Sequence, residues 1–307
     1  MARRSRKPPG FRDINGILLL DKPLGISSNK ALQAARNIFM ANKAGHTGSL
    51  DPLATGMLPV CFGEATKYSG YLLDSSKSYH AILKLGVTTT TADGEGEIVS
   101  ENPVTVKASD VERVLEKFRG PISQIPPMLS ALKHQGQRLY DLARKGIEVE
   151  RDSREIVIHS LKMLGFAEDL LELDIHCSKG TYIRTLAEDI GEALGCGAFL
   201  AALKRTGVQP FWGEEKIWTL DELRHIKDDP DAHLEECLLP IEAALTDWPD
   251  IQVDRDMAFY LLQGQPVQVP KAPTRGLVRL FDVSKGFLGL GSILSDGRVA
   301  PKRMLRV

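Results

Sequence analysis

Two apolar runs with a period of two constrain the fold of this chain most. Tyr79, Ala81, Leu83, Leu85 and Val87 recur at every second position, and so do Leu171, Leu173, Ile175 and Cys177. That period turns one face of a strand toward a core and the other toward water. Half-buried strands of this kind suit an antiparallel sheet better than a parallel sheet covered on both faces. The neighbouring segments do not supply a steady βαβ rhythm. Residues 16–20 read as a short buried strand and 21–25 as a turn. Ser27 or Ser28 then caps a helix whose apolar face is Ala31, Leu32, Ala35, Ile38 and Phe39. Residues 109–112 read as a capping box, opening a helix through Val114, Leu115 and Phe118 that stops at Gly120-Pro121. A helix carrying Ile183, Leu186, Ala187, Ile190 and Leu194 follows the turn Ser178-Lys179-Gly180. Thr219 to Glu222 forms another capping box, and from Val267 onward short strands are broken by glycines. The expected class is α+β, with a mixed, mainly antiparallel central sheet and flanking helices.

At 307 residues the chain exceeds the usual size of one domain. Its reading is a basic tail at 1–13, a main body at 14–250 and a small β-rich module at 251–307. Within the body, a Pro-bounded excursion at about 121–155 carries Lys133, His134, Arg138, Arg144 and Lys145. The net charge of -1 hides a strong polarity. Arg3, Arg4, Arg6, Lys7 and Arg12 face no acid in the first twelve residues. Residues 214–256 carry fourteen acidic and four basic side chains, and 271–307 carry eight Lys/Arg against Asp282 and Asp296. Basic ends flanking an acidic stretch suit a polyanion held at the ends. No apolar run reaches membrane-span length, and the run at 17–20 is too short for a signal-peptide core. The expected location is therefore the cytoplasm. Cys61, Cys177, Cys196 and Cys237 are scattered without metal-ligand spacing and read as reduced core thiols. No feature demands an oligomer, so a monomer is expected.

The segment 45–56 concentrates polar groups without helical or strand period. It holds three glycines, His46, Asp51 and the hydroxyls of Thr47, Ser49 and Thr55. It reads as a shaped loop, where chemistry tends to sit. The chain has no phosphate-binding Gly-x-x-x-x-Gly-Lys-Ser/Thr, no dinucleotide fingerprint after a strand and no Gly-x-Ser-x-Gly elbow. A catalyst built here needs a redox-neutral reaction without metal or ATP, and a carboxylate nucleophile meets that need. Free aspartate has a pKa of about 3.9 and is ionised at neutral pH. Burial raises that pKa, and a nearby arginine opposes the rise by roughly one to three units.

Residues 46–59 closely resemble the catalytic motif of the TruB family of tRNA pseudouridine synthases. Other segments extend the resemblance in order. They are Leu20-Asp21-Lys22-Pro23 with Gly25, Ser27 and Ser28; Gly63-Glu64-Ala65-Thr66-Lys67; Lys77-Ser78-Tyr79; residues 177–184; and Leu203-Lys204-Arg205-Thr206. The match runs motif by motif over about 14–215 and more loosely over 251–307. It implies a pseudouridine synthase fold with a PUA-like RNA-binding module at the C-terminus. The implied activity is isomerisation of uridine 55 in the tRNA T-loop, with no cofactor and no metal. The implied partner is tRNA, touched at its T-arm and acceptor end, with the excursion at 121–155 as an RNA clamp.

The resemblance also implies roles. Asp51 would attack the flipped uridine at C1′ or at C6. Arg184 would pair with that carboxylate, and Tyr79 would stack on the uracil. Stacking is worth about 1–3 kcal/mol per base, comparable with the few kcal/mol needed to unstack it. His46 would contact the target nucleotide, Tyr182 and Leu203 would line the pocket, and Lys204 and Arg205 would touch substrate. Lys22 and Pro23 would buttress the catalytic loop. Two positions depart from the family pattern. Leu129 stands where tyrosine is usual, and Lys204 where arginine is usual, which keeps the charge but loses the bidentate fork. Two other classes remain open from the residues: a tRNA-folding chaperone with secondary catalysis, and an aspartate-based nucleosidase. The second needs a paired acid carboxylate, and the loop offers none.

Overall fold

The computed structural model describes residues 10–130, 132–139, 142, 146–284 and 286–306. Arg3, Arg4, Arg6, Lys7, Ala131, Arg144, Lys145 and Lys285 lie outside the described residues. In chain order the strands begin with β1 (Gly16–Lys22), β2 (Ala44–His46), β3 (Ala54–Phe62) and β4 (Lys77–Leu85). A hairpin of β5 (Val87–Thr89) and β6 (Ile98–Glu101) follows, then β7 (Gly120–Gln124) and a short ladder of β8 (Lys133–His134) with β9 (Gln137–Arg138). The long strands β10 (Arg154–Ala167), β11 (Leu170–Cys177) and β12 (Ala198–Val208) complete the body.

The main sheet is eight-stranded, ordered β1-β3-β12-β4-β11-β10-β7, with β2 added to β3. Its pairs are antiparallel except β12 with β3. The α+β reading therefore holds.

The two kinds of apolar run are explained by what covers them. In β4 buried and half-buried residues alternate strictly, and Tyr79, Ala81, Leu83 and Leu85 face one core. Helices α3 (Ala108–Glu116) and α4 (Ile183–Leu194) close that core with Val111, Leu115, Ile183, Leu186 and Ile190. β1 instead is covered on both faces. Leu18 and Leu20 pack under α1 (Ser28–Ile38), while Ile17 and Leu19 pack on Tyr68, Leu72 and Leu245. A strand buried on both faces has no polar alternation, hence the continuous run at 17–20.

Several local expectations shift. β1 continues through Lys22, so the turn begins later. Ser27, not Ser28, caps α1, accepting from the Lys30 N–H at 3.3 Å. Val87 leaves β4 because Gly86 sits at φ +82°, where a Cβ would stand 2.7 Å from the Asn102 carbonyl oxygen. The expected box at 109–112 moves two residues. Lys107 is the cap residue, its N–H donates to Asp110 at 3.0 Å, and the helix ends at Glu116 rather than reaching Gly120. The box at Thr219 stands, opening α5 (Leu220–Asp228).

Near the C-terminus a second sheet runs β13 (Asp250–Val253), β14 (Leu277–Asp282), β15 (Gly286–Ile293), β16 (Val299–Met304). It packs on α6 (Arg255–Leu262), a helix the sequence reading missed, capped by Asp254. Three contacts fasten this sheet to the body. The Tyr68 hydroxyl donates to Arg303 O at 2.8 Å, Lys67 Nζ to Met304 O at 3.0 Å, and the Arg306 N–H to Glu64 at 2.8 Å. Among the described residues no helix is long and apolar enough to cross a membrane.

Candidate active site

The loop expected at 45–56 is shorter than the sequence suggests, because its ends are strands. β2 takes Gly45 and His46, and β3 takes residues 54–56. Residues 47–53 between them carry Asp51, and buried groups hold this stretch on three sides. On the first, Ser28 Oγ donates to Leu50 O at 2.9 Å and accepts from the Leu50 N–H at 2.7 Å. On the second, the fully buried Lys22 ammonium donates to Ala54 O at 2.6 Å, Pro23 O at 2.9 Å and Pro52 O at 3.5 Å. On the third, the buried Arg205 guanidinium donates to Met57 O at 2.7 Å and Gly48 O at 3.3 Å. Gly56, at φ +96°, is required there. A Cβ would lie 2.3 Å from Arg205 O, so only glycine lets β3 and β12 approach.

Asp51 is the open end of this construction. Its side chain is 44 % exposed, whereas that of Arg184 is 7 % exposed, and Arg184 Nε lies 3.0 Å from Asp51 Oδ2. Arg184 sits in the first turn of α4 and is itself gripped. Its guanidinium donates to Leu129 O at 2.6 Å and Thr91 O at 3.3 Å, and Nε lies 3.7 Å from Asp93 Oδ2. Burial pushes the Asp51 pKa above the ordinary carboxylate value; Arg184 opposes this and Asp93 adds to it. The competition expected from the sequence is thus present, and burial prevails.

Asp93 is the residue sequence reasoning missed. It lies in the turn between β5 and β6, its side chain 4 % exposed. Its Oδ1 accepts from the Thr91 hydroxyl and the Glu95 N–H. The cluster Thr90-Thr91-Ala92-Asp93-Gly94 between two β-prone runs was a turn signal of the same kind as the first loop. Asp93 is a second carboxylate near Asp51, but its oxygens are already occupied. That arrangement orients Arg184, and Asp93 is not free to act as the second carboxylate of a glycoside-cleaving enzyme.

The other expected residues converge unevenly. Tyr79 faces Arg205 across the β4–β12 register and is 7 % exposed, so little of its ring reaches the cleft. Tyr182 immediately precedes α4. Its main chain is locked by the buried Gln124 amide, which accepts from Tyr182 N–H at 2.8 Å and donates to Tyr182 O at 3.1 Å. Leu203 is half-buried on β12. His46 ends β2; burial and Arg205 lower its pKa, which favours the neutral ring, and its Nδ1 has no hydrogen-bond partner among the described residues. Pro23 and Lys204 are exposed and line a cleft of about 600 Å³ beside Lys22 and Thr55.

Arg205 does not stand where a substrate phosphate could meet it. At 1 % exposure it lies beneath the loop, donating to main-chain carbonyls. Its neighbour Lys204 takes the exposed side because adjacent strand residues face opposite ways. The departure at Leu129 has no consequence for Arg184, which uses that residue's carbonyl. Among the described residues no His, Cys, Asp and Glu are grouped to hold a metal ion. The site thus presents one accessible carboxylate, a buried guanidinium aiming it, an aromatic ring beside it and a neutral imidazole.

Comparison with known proteins places this geometry. Residues 36–183 match the family described as TruB family pseudouridylate synthase, N terminal domain. Residues 184–246 match the tRNA pseudouridylate synthase B C-terminal domain, and 249–305 match Pseudouridine synthase II TruB, C-terminal. A tRNA pseudouridine synthase B of Pseudomonas fluorescens is 56 % identical over 297 residues, covering 96 % of this chain and 97 % of that protein. One of Nitrosococcus oceani is 54 % identical over 295 residues, covering 96 % of each. Among solved structures, an H/ACA RNP bound to a substrate RNA containing 2'-deoxyuridine aligns with TM-score 0.74 at 24 % identity, covering 95 % of this chain and 85 % of that one. A Cbf5-Nop10-Gar1 complex aligns with TM-score 0.73 at 23 % identity, covering 98 % and 92 %. At that identity the structures speak for the fold alone.

Proposed function

The chain belongs to the TruB family of pseudouridylate synthases, and on that premise we propose how its site converts a tRNA uridine to pseudouridine. The enzyme is an isomerase of tRNA. The target is uridine 55 of the T-loop. One observation carries the assignment of chemistry: the exposed Asp51 carboxylate is aimed by the sealed Arg184 guanidinium at 3.0 Å.

The uridine leaves its stack and enters the cleft beside Tyr79, whose ring supplies the stacking surface that offsets the cost of extrusion. Asp51 attacks the nucleotide at C1′ of the ribose or at C6 of the base. The C1′–N1 bond breaks, the uracil is turned and rejoined through C5 with release of the Asp51 carboxylate, and the proton lost from C5 balances the one gained at N1. Nothing is oxidised and no atom leaves the product. Arg184 opposes the rise that burial gives the Asp51 pKa and fixes its direction of attack. His46, neutral and with a spare ring nitrogen, contacts the nucleotide. Tyr182 and Leu203 bound the pocket, and Lys204 with Pro23 meets the RNA at the adjoining cleft. The small C-terminal sheet, a PUA-like unit, and the excursion at 121–155 hold the rest of the tRNA. The enzyme works in the cytoplasm as a monomer.

The test is modification mapping of tRNA after incubation with wild-type and Asp51→Asn protein. The expected result is no pseudouridine from the variant, with tRNA binding largely kept. Activity in Asp51→Asn would remove the nucleophile from this residue. Release of free uracil from tRNA by the wild type would point to a nucleosidase instead.

A further inference from the structure

Among the described residues Arg205 is the largest fully buried side chain, and it makes no ion pair with a carboxylate. It lies on β12 opposite Tyr79 of β4, with the side chains on one face of the sheet. Its guanidinium faces the Tyr79 phenol, and the two groups interact electrostatically. Its donors reach Met57 O, within β3, and Gly48 O, near the start of the Asp51 loop. Gly48 sits at φ +112°, a conformation that favours glycine, while a Cβ there would make only ordinary contact, 3.7 Å from an Arg205 nitrogen.

A buried cation is costly unless each donor is used. Here the donors go to one aromatic hydroxyl and to the loop that carries Asp51. A guanidinium can only donate, so toward Arg205 the Tyr79 oxygen can act only as an acceptor. Lysine has neither the planar fork nor its reach in three directions.

We propose that Arg205 is a positioning residue that locks the Tyr79 hydroxyl and the Gly48 turn into one unit, setting the plane of the bound uracil against Asp51. This rests on the reading that Tyr79 stacks on the flipped base. It differs from a phosphate contact, since the guanidinium is sealed from solvent. The cation also opposes the upward push that burial gives the Tyr79 phenol.

The experiment compares Arg205→Lys and Arg205→Gln in wild-type and Tyr79→Phe backgrounds, with Asp51→Asn alongside. Thermal unfolding and tRNA affinity are measured with the single-turnover rate of pseudouridine formation as a function of pH. In folded variants, tRNA affinity stays within about twofold and the rate falls about tenfold or more. In the Tyr79→Phe background the further loss shrinks to about twofold, the signature of coupled neighbours. With the cation gone in Arg205→Gln, the alkaline limb of the profile moves to higher pH. An unchanged rate in folded Arg205→Gln, or equal losses in both backgrounds, overturns the proposal. Should both variants fail to fold, the wild-type protein decides: an NMR contact between the Arg205 guanidinium protons and the Tyr79 ring is expected, and its absence overturns the lock. Activity in Asp51→Asn would instead overturn the nucleophile reading.

Discussion

Ser28 holds Leu50, the residue before Asp51, by both of its backbone groups, at 2.9 and 2.7 Å. A helix residue thereby sets the conformation of a loop twenty-two positions away. Ser28→Ala leaves the buried Leu50 N–H and C=O without this partner. The expected cost is about 1–3 kcal/mol of stability, read from urea unfolding with an unchanged slope. Single-turnover rate should fall while tRNA affinity changes little, because the proposed nucleophile lies on this loop. A variant as stable and as fast as the wild type would show that Leu50 is held by other means.

Asp51 should cost the protein stability. Burial raises its folded-state pKa above the ordinary 3.8, so folding favours the protonated carboxyl. The penalty is complete above the folded pKa and absent below the unfolded one. Asp51→Asn is therefore expected to melt above the wild type at pH 7, and the difference should shrink as pH falls toward 4. Arg184 tolerates the change because Asp93 and two carbonyls remain. Thermal melts between pH 4 and 8 check this; a less stable variant at pH 7 would mean the ion pair outweighs burial.

Arg184 opposes the rise of the Asp51 pKa. Its replacement by glutamine should push that pKa further up, so the acid limb of the single-turnover pH profile moves to higher pH. Arg184→Lys should shift the limb less, because the charge is kept, yet should still be slow at the plateau, because the fork to Asp51, Thr91 and Leu129 is lost. Identical limbs in all three proteins would separate Arg184 from the ionisation of Asp51.

Burial of Lys22 drops its pKa from 10.5 to about 8. Between those values the unfolded chain binds a proton that the folded one lacks, so stability rises with pH across that window and is flat below it. Lys77, also lowered to about 8, adds to the same slope. Lys22→Met should remove part of the slope and, by stranding the Ala54, Pro52 and Pro23 carbonyls, lower stability at pH 7. Urea unfolding from pH 7 to 10 measures both effects.

The legible part of this fold was local. A period of two marked β4 and β11 because each has one covered face. Thr219 and Glu222 announced α5 through a cap that three consecutive peptide units build by themselves. The Asp51 loop stood out because glycines and hydroxyls gather where the chain needs unusual dihedrals and polar contacts. What was misplaced also has local causes. Val87 fits the alternation, but the chain turns at Gly86, at φ +82°, whose carbonyl accepts from the Asn102 N–H sixteen residues on. Helix α6 went unread because eight residues carry too little period to declare themselves.

By itself the sequence determined the class of the fold and the family and singled out Asp51 as the candidate nucleophile, since each is written in short stretches of chain. Tertiary structure alone decided which side chains serve that carboxylate. Arg205 reaches Gly48 across 157 residues, Arg184 reaches Leu129 across 55 and Thr91 across 93. Such pairings depend on strand register and on which donors are sealed from water. An exposed arginine meets a phosphate, whereas a buried one must spend its donors on carbonyls and a phenol, and no local pattern distinguishes the two.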